Sequence, residues 1–482
     1  MLNKKRIINI VGLLVIIEGF FLLICLIPSL VYGDGDFPAL SVSAVIIFAV
    51  GLAAWFFTRD ADKSVGKREG FIIVVLVWLI FSLFGSLPFR IGGHIPTYTD
   101  AFFETISGFT TTGATILEDI EGLPRGLLFW RSLTQWMGGM GIIVLSLAIL
   151  PLLGVGGMQL FVAEVPGPTK EKLHPRVKET AKRLWGIYMI FTLMQIILLM
   201  LGGMDLFDAV CHSFTTMATG GYSTKQDSIA FFDSPYIQYV IILFMFIAGT
   251  NFVLSYFALH LRFDKIWKNE EFRFYSFLVL FFTGVIAAGL FITKQYGYEE
   301  SLRTAAFQVV SVITTTGFIT SDYMIWAPQL TILIIMLMFF GGSAGSTGGG
   351  IKIMRILLIL KNTYLETKRL IYPNAVIPVK LNRHNVSQAI MGKIMAFVFI
   401  YIAIIAVSMA LISLMDYEMD TSLGAAAACL GNIGPGIGLV GPVEHYAHFP
   451  VKGKWFLSFL MMLGRLELFT VLVLFAPSFW KK

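Results

Sequence analysis

Thr110-Thr111-Thr112-Gly113 is the stretch on which the reading of this chain turns, because it recurs. Near-copies stand at Ala218-Thr219-Gly220-Gly221 and Thr314-Thr315-Thr316-Gly317, with a degraded copy at Asn432-Ile433-Gly434-Pro435. With Gly113, Gly220, Gly317 and Gly434 as the matched glycines, the motif returns about every hundred residues, the mark of four supersecondary units arranged around something shared. Each copy follows an apolar segment too short to cross a bilayer and precedes one long enough to do so. Helix, half-helix, glycine loop, helix is the order of a pore lined by backbone carbonyls.

Composition agrees. Of 482 residues, 56% are hydrophobic and 14% charged, against about 45–50% and about 25% in soluble domains. Mean hydropathy is +0.78, and many runs reach the about 20 apolar residues that a spanning helix needs. The net charge of +6 does not indicate nucleic acid, because the cations gather in alternate loops as the positive-inside rule expects. Cys25, Cys211 and Cys429 are too far apart for a metal motif or a disulfide framework. Lys4-Lys5-Arg6 and the apolar run to residue 32 resemble a signal peptide but are too long for one, and read as a retained span.

The fold expected is all-α and polytopic: two N-terminal transmembrane helices, then four pseudo-symmetric repeats of helix, pore helix, filter loop and helix around one pore. The N-terminal pair takes 1–69. The repeats take 70–183, 184–271, 272–390 and 391–482. Half-helices are expected at about 100–110, 205–217, 300–313 and 420–430. The second spans are expected at 129–153, 235–260, 328–360 and 455–475. With both termini and every inter-repeat loop in the cytoplasm, most of the 36 Lys and Arg lie inside, and the acids concentrate outside, where they would attract cations. The large basic inner segments, 164–183 and 352–393, contact lipid headgroups and are the places where a cytoplasmic partner would dock.

A cation leaving water needs its shell replaced by oxygens, and backbone carbonyls can do this. Thr111, Thr112, Gly113, Thr219, Gly220, Gly221, Thr315, Thr316, Gly317, Asn432, Ile433 and Gly434 are the candidate K+ filter residues. Glycine permits the backbone turns required, threonine adds hydroxyls, and the preceding half-helix aims its negative end at the ion. A single Thr-Thr-Gly would read as a helix cap. Four at matched places do not. Ile433 in the fourth copy leaves the filter pseudo-fourfold, with fewer hydroxyls.

The second span of repeat three contains Gly341-Gly342-Ser343-Ala344-Gly345-Ser346-Thr347-Gly348-Gly349-Gly350, six glycines in ten residues. At about 1 kcal/mol per glycine relative to alanine, the helix should break into two halves with an intramembrane loop between them, a gate below the filter. Close packing by small residues is the bland alternative. A phosphate-binding loop would end in Gly-Lys-Ser/Thr, and here Ile351 follows Gly350. Gly436-Ile437-Gly438-Leu439-Val440-Gly441 matches a dinucleotide pattern but follows no strand. Arg465 reads as the one basic residue within a span, expected to hold carbonyls of the 341–350 loop. Glu467 does not share its helix face. Glu18 is a further intramembrane charge with no assigned role. Gly138-Gly139-Met140-Gly141 and Ala248-Gly249-Thr250-Asn251 let inner helices approach closely, and Asn251 is a candidate cavity residue.

The four pore repeats, the filter glycines, Gly341–Gly350 and Gly464-Arg465-Leu466-Glu467 together resemble the Trk/Ktr/HKT superfamily of potassium transporters, and TrkH-type uptake subunits in particular. The resemblance implies potassium uptake, with Rb+ and Na+ as further candidate ions, across a bacterial inner membrane. It also implies a homodimer of one-chain pores and a cytoplasmic TrkA-type ring of nucleotide-binding subunits. Glycine at Gly113 resembles potassium-preferring members, while serine there accompanies sodium preference. K+ is the transported and filter-bound ion, and no organic cofactor is expected. Symport with H+ or Na+ is the alternative, weakened because the filter region offers no His, Asp or Glu. An intramembrane enzyme is remote, because the seven histidines form no cluster with Cys or Asp.

Overall fold

The computed structural model describes residues 2–62, 65–152, 177–293 and 296–481. Most of the basic segment 164–183 lies outside the described residues. The first two helical segments, Lys4–Tyr32 and Phe37–Phe57, pack against each other through Gly12 and Gly51. A Cβ at Gly12 would lie 2.9 Å from the Ala54 Cβ, and one at Gly51 would lie 2.9 Å from the Ile16 side chain. Small residues let backbones meet where hydrophobic burial gives no preference over lipid. The outer faces stay apolar, with Phe57, Leu280 and Phe399 largely exposed. Such faces belong against lipid.

Four half-helices stand where the repeats place them: Tyr98–Phe109, Leu206–Met217, Tyr298–Ile313 and Met419–Gly431. Each carries an acid in its first turn, at Asp100, Asp208, Glu299 with Glu300, and Asp420. An acid there suits the positive end of the helix dipole, and leaves the negative end for the filter loop. The first helices of the repeats are Arg68–Ile91, Lys182–Leu201, Glu270–Ile292 and Gln388–Ser413, all long and apolar enough to cross a membrane. One small antiparallel ribbon, Val379–Leu381 with His384–Val386, interrupts the otherwise helical chain among the described residues.

The second helices of repeats two and four depart from the expected straight spans. Only Arg125–Leu152 in repeat one is continuous. In repeat two, Pro235–Ala248 and Phe252–Leu259 meet at 114°, and in repeat four, Val451–Arg465 and Phe469–Phe475 meet at 110°. Repeat three breaks between Pro328–Leu337 and Ile353–Ile371, as its glycines require. The causes of the other two breaks are local. Asn251 caps the new helix by accepting from the Val253 N–H at 2.8 Å. In repeat four, Glu467 and Leu468 both take left-handed φ, of 57° and 48°. The Leu468 N–H reaches back to the Leu463 carbonyl and that of Glu467 to Gly464, the crossed pair of bonds that ends a helix.

Glu18 is fully buried in the first helix, beside Gly85, and its carboxylate has no hydrogen-bond partner among the described residues.

Candidate functional site: a ring of four backbone strands

All four half-helices end in the same way. The Thr111 N–H bonds the Gly108 carbonyl and the Thr112 N–H bonds Ser107. Thr219 and Gly220 repeat the pattern onto Thr216 and Thr215, Thr315 and Thr316 onto Val312 and Ser311, and Asn432 and Ile433 onto Cys429 and Ala428. Such a cap needs one residue in left-handed conformation, usually glycine. Here Thr111, Thr219, Thr315 and Asn432 take it, with φ of 52°, 54°, 58° and 54°. A β-branched residue there is an outlier costing about 1–2 kcal/mol, the sort of strain that gathers at functional sites. Asparagine tolerates that conformation better than threonine, so the copy most degraded in sequence keeps the backbone intact.

The motif glycines therefore do not cap helices. They stand two residues further on, with φ of 83° at Gly113, 77° at Gly221, 80° at Gly317 and 91° at Gly434. This corrects the register of repeat two: the residue equivalent to Gly113 is Gly221, and Gly220 stands where the other strands carry Thr112, Thr316 and Ile433. The shift was hidden because two glycines adjoin and only the backbone distinguishes them.

The strands close on one another. A Cβ at Gly113 would overlap the carbonyl oxygen of Gly220, one at Gly221 that of Thr316, and one at Gly317 that of Ile433. A Cβ at Gly434 would lie 2.6 Å from the Thr112 oxygen. The order runs from repeat one to two, three, four and back to one, so the four segments surround a common axis. Tyr446 helps to join the ends, giving its hydroxyl to the Gly434 carbonyl at 2.8 Å and its N–H to Thr115 at 2.8 Å. Tyr323 bonds the Gly436 carbonyl at 2.7 Å.

Behind the first two strands lies a polar scaffold that the motifs did not announce. Glu104, on the first half-helix, accepts from Arg131 Nε at 2.6 Å and from Thr115 Oγ1 and the Ile116 N–H at 3.0 Å each. Arg131 donates onward to the Ser223 carbonyl at 2.8 Å and lies over the Tyr222 ring at 3.6 Å. Tyr222 returns its hydroxyl to the Glu104 carbonyl at 2.7 Å. Both ions are buried. Buried His212 bonds Ser223 Oγ at 2.9 Å. Titratable groups thus stand directly behind the strands, though none lies in the motifs themselves. Arg465, itself half-buried, is likewise not alone: Arg131, Lys352 and Arg355 are buried basic residues. A basic residue a turn or two inside a helix end looks like a loop charge in sequence, which is why Arg131 was missed. The one signal available was Glu104 within an apolar half-helix, a charge that needs a partner.

Below the ring lies the 341–350 segment, touched by repeats two and four and by the half-helix end of its own repeat, and tied to repeat one through Arg465. The Gly349 N–H donates to Thr315 Oγ1 at 2.6 Å, and Thr347 Oγ1 donates to the Met217 carbonyl at 3.1 Å. A Cβ at Gly349 would lie 2.5 Å from the Gly431 oxygen. The Ser343 N–H reaches the Gly249 carbonyl at 2.8 Å, and Glu271 accepts from the Ala344 N–H at 2.7 Å. Lys352 donates to the Gly348 carbonyl from within. Arg465 bridges the segment to repeat one, donating to Thr347 at 2.6 Å, Gly138 at 2.6 Å and Gly139 at 2.9 Å, carbonyls in every case. Glu467 pairs with Arg355 of the helix Ile353–Ile371. Gly341, Gly342, Gly345, Ser346, Gly348 and Gly350 complete the segment.

Beside the start of the second half-helix, an open cavity of about 560 Å³ is lined by Asp34, Glu121, Asp205, Asp208, Arg125 and Lys225, among others. Partial burial, then the neighbouring Asp208, raises the Asp205 carboxyl above its ordinary range. Among the described residues, no group of His, Cys, Asp and Glu could hold a resident metal ion.

The sequence model of the family described as TrkH, cation transport protein, matches residues 38–482. The chain is 43% identical to the Trk system potassium uptake protein TrkH of Escherichia coli K12, over 100% of both chains. It is 33% identical to TrkG of the same organism, over 99% of both. The crystal structure of the potassium transporter TrkH from Vibrio parahaemolyticus superposes with a TM-score of 0.90 at 37% identity, covering 99% of each chain.

Proposed function

Because this chain belongs to the TrkH family of cation transport proteins, which are transporters and not enzymes, we propose that it carries potassium into the cell through the ring of four strands. The observation that carries the proposal is the cyclic contact of Gly113, Gly221, Gly317 and Gly434 with the carbonyls of the neighbouring strand. Four unlike segments placed around one axis supply the oxygens that replace water around a dehydrated alkali cation. The gradient drives the ion, at about 2.3 kcal/mol per charge per 100 mV. Segment 341–350 is the gate and Arg465 its latch. The termini and the basic 352–393 segment face the cytoplasm, where a nucleotide-binding ring of the TrkA kind regulates opening. Two copies form the working unit, each with its own pore. The repeats divide the chain at residues 70, 184, 272 and 391. Obligatory proton coupling is the weaker reading: Glu104 stands behind the strands, committed to Arg131, Thr115 and Ile116.

Flux into proteoliposomes with K+, Rb+, Na+ and Li+ tests the reading. Wild type should admit K+ and Rb+ ahead of Na+ and Li+. Gly113→Ser should lower the preference for K+ about tenfold or more, because its φ of 83° strains any other residue and its Cβ would displace the Gly220 oxygen. Equal entry of all four ions into wild-type vesicles would overturn the proposal.

A further inference from the structure

We propose that the amide of Gln135 is the missing side chain of the second strand, and that it sets the ion preference of the ring; this deepens the potassium reading and rests on it. The residue before the ring glycine is Thr112, Thr316 and Ile433 in three strands and Gly220 in the fourth. A Cβ placed on Gly220 would meet Gln135 first, with Cδ, Oε1 and Nε2 as its three nearest atoms, the last at 2.8 Å. Gln135 comes from the continuous helix Arg125–Leu152 and is fully buried. It therefore fills, from another element, the volume that strand two leaves empty.

It also makes bonds that no threonine could make. Nε2 donates to the Gly220 carbonyl at 2.7 Å, and Oε1 accepts from the Tyr222 N–H at 3.1 Å. One planar amide thus clasps the strand on both sides of Gly221, as a neighbouring strand would. The Gly220 oxygen is the one against which Gly113 packs, so the clasp fixes the contact between strands one and two. A carbonyl oxygen has two lone pairs, and one bond to Gln135 sets its direction while leaving the other free. The remaining strands are tied differently. Thr112 Oγ1 shares a hydrogen bond with Thr110 Oγ1 at 2.7 Å and accepts from Asn432 Nδ2 at 3.0 Å, and Thr316 Oγ1 bonds Thr314 Oγ1 at 2.7 Å. Strand two has no such hydroxyl at position 220. An oxygen freed from its clasp can close on a smaller ion, so loss of Gln135 should favour Na+ relative to K+.

Gln135 is a positioning residue, and the test must separate clasp from filler. Gln135→Met keeps the volume and removes both bonds. In K+/Na+ competition flux, Gln135→Met should lower the preference for K+ about fivefold or more with total uptake still measurable. Gly220→Thr alone should lose uptake, because its side chain collides with the amide. Gln135→Ala with Gly220→Thr should recover preference relative to Gln135→Ala, a coupling read by the double-mutant cycle. A preference unchanged within about twofold in Gln135→Met, or wild-type transport by Gly220→Thr, would overturn the inference. If Gln135→Ala does not fold, Gln135→Met carries the test alone. Absence of any K+ preference in wild type would instead overturn the potassium reading itself.

Discussion

Arg131→Met is expected to abolish uptake and to destabilise the protein by roughly 3–5 kcal/mol, the usual penalty for leaving one ion of a buried pair without its partner. Glu104 would remain in a site with no exposure, and the Ser223 carbonyl and the Tyr222 ring would lose the guanidinium. Both losses fall on strand two, just beyond Gly221. Glu104→Leu should be similarly damaging, since Thr115 Oγ1 and the Ile116 N–H would be orphaned as well. The double variant discriminates between pair and scaffold. An ion pair exchanged for apolar side chains of similar volume is often neutral, so the double variant should regain much of the stability. It should not regain transport, because the bonds to Thr115, Ile116 and Ser223 that hold the strands are gone. Thermal unfolding in detergent together with Rb+ flux reads both quantities. Stability and flux recovering in step would mean that the pair serves folding alone.

Arg465→Ala should have the opposite effect on transport: basal cation flux rises in the absence of any activator. Three carbonyls, of Thr347, Gly138 and Gly139, are gathered by one guanidinium. Hydrogen bonds to a charged group contribute about 1.5–3 kcal/mol each. Losing even one such bond between gate and wall would multiply the open population about tenfold or more, at 1.4 kcal/mol per decade. Arg465→Lys should be nearly as leaky, since an ammonium lacks the planar fork needed to reach Thr347 and Gly138 together. Deleting Gly345–Gly349 should open the path further. Flux identical to wild type in Arg465→Ala and in the deletion would remove the gate from the account.

How much of this was legible beforehand differs by element. The half-helices and their loops were placed to within a few residues, because a short apolar segment ending at a threonine-glycine stretch carries its length and its end in local sequence. Segment 341–350 was recognisable for the same reason: six glycines in ten residues cannot hold a helix. The bends at Asn251 and at Glu467 were not recognisable, since apolar runs of ordinary spanning length surround both and neither a lone Asn cap nor a two-residue left-handed turn interrupts such a run in sequence. Arg131 was not singled out, because its partner, Glu104, lies 27 residues away in sequence.

The sequence by itself determined that this is a membrane chain of four repeats, each offering one glycine loop, because hydropathy and helix-breaking residues act over a few turns and need no partner. Only the tertiary structure decided which glycine of repeat two belongs to the ring, that Thr111, Thr219, Thr315 and Asn432 take the strained cap, and that Gln135 replaces a side chain absent from Gly220. These are matters of atoms far apart in sequence meeting around one axis. A left-handed threonine or a buried glutamine becomes favourable only once the other three repeats have closed around it.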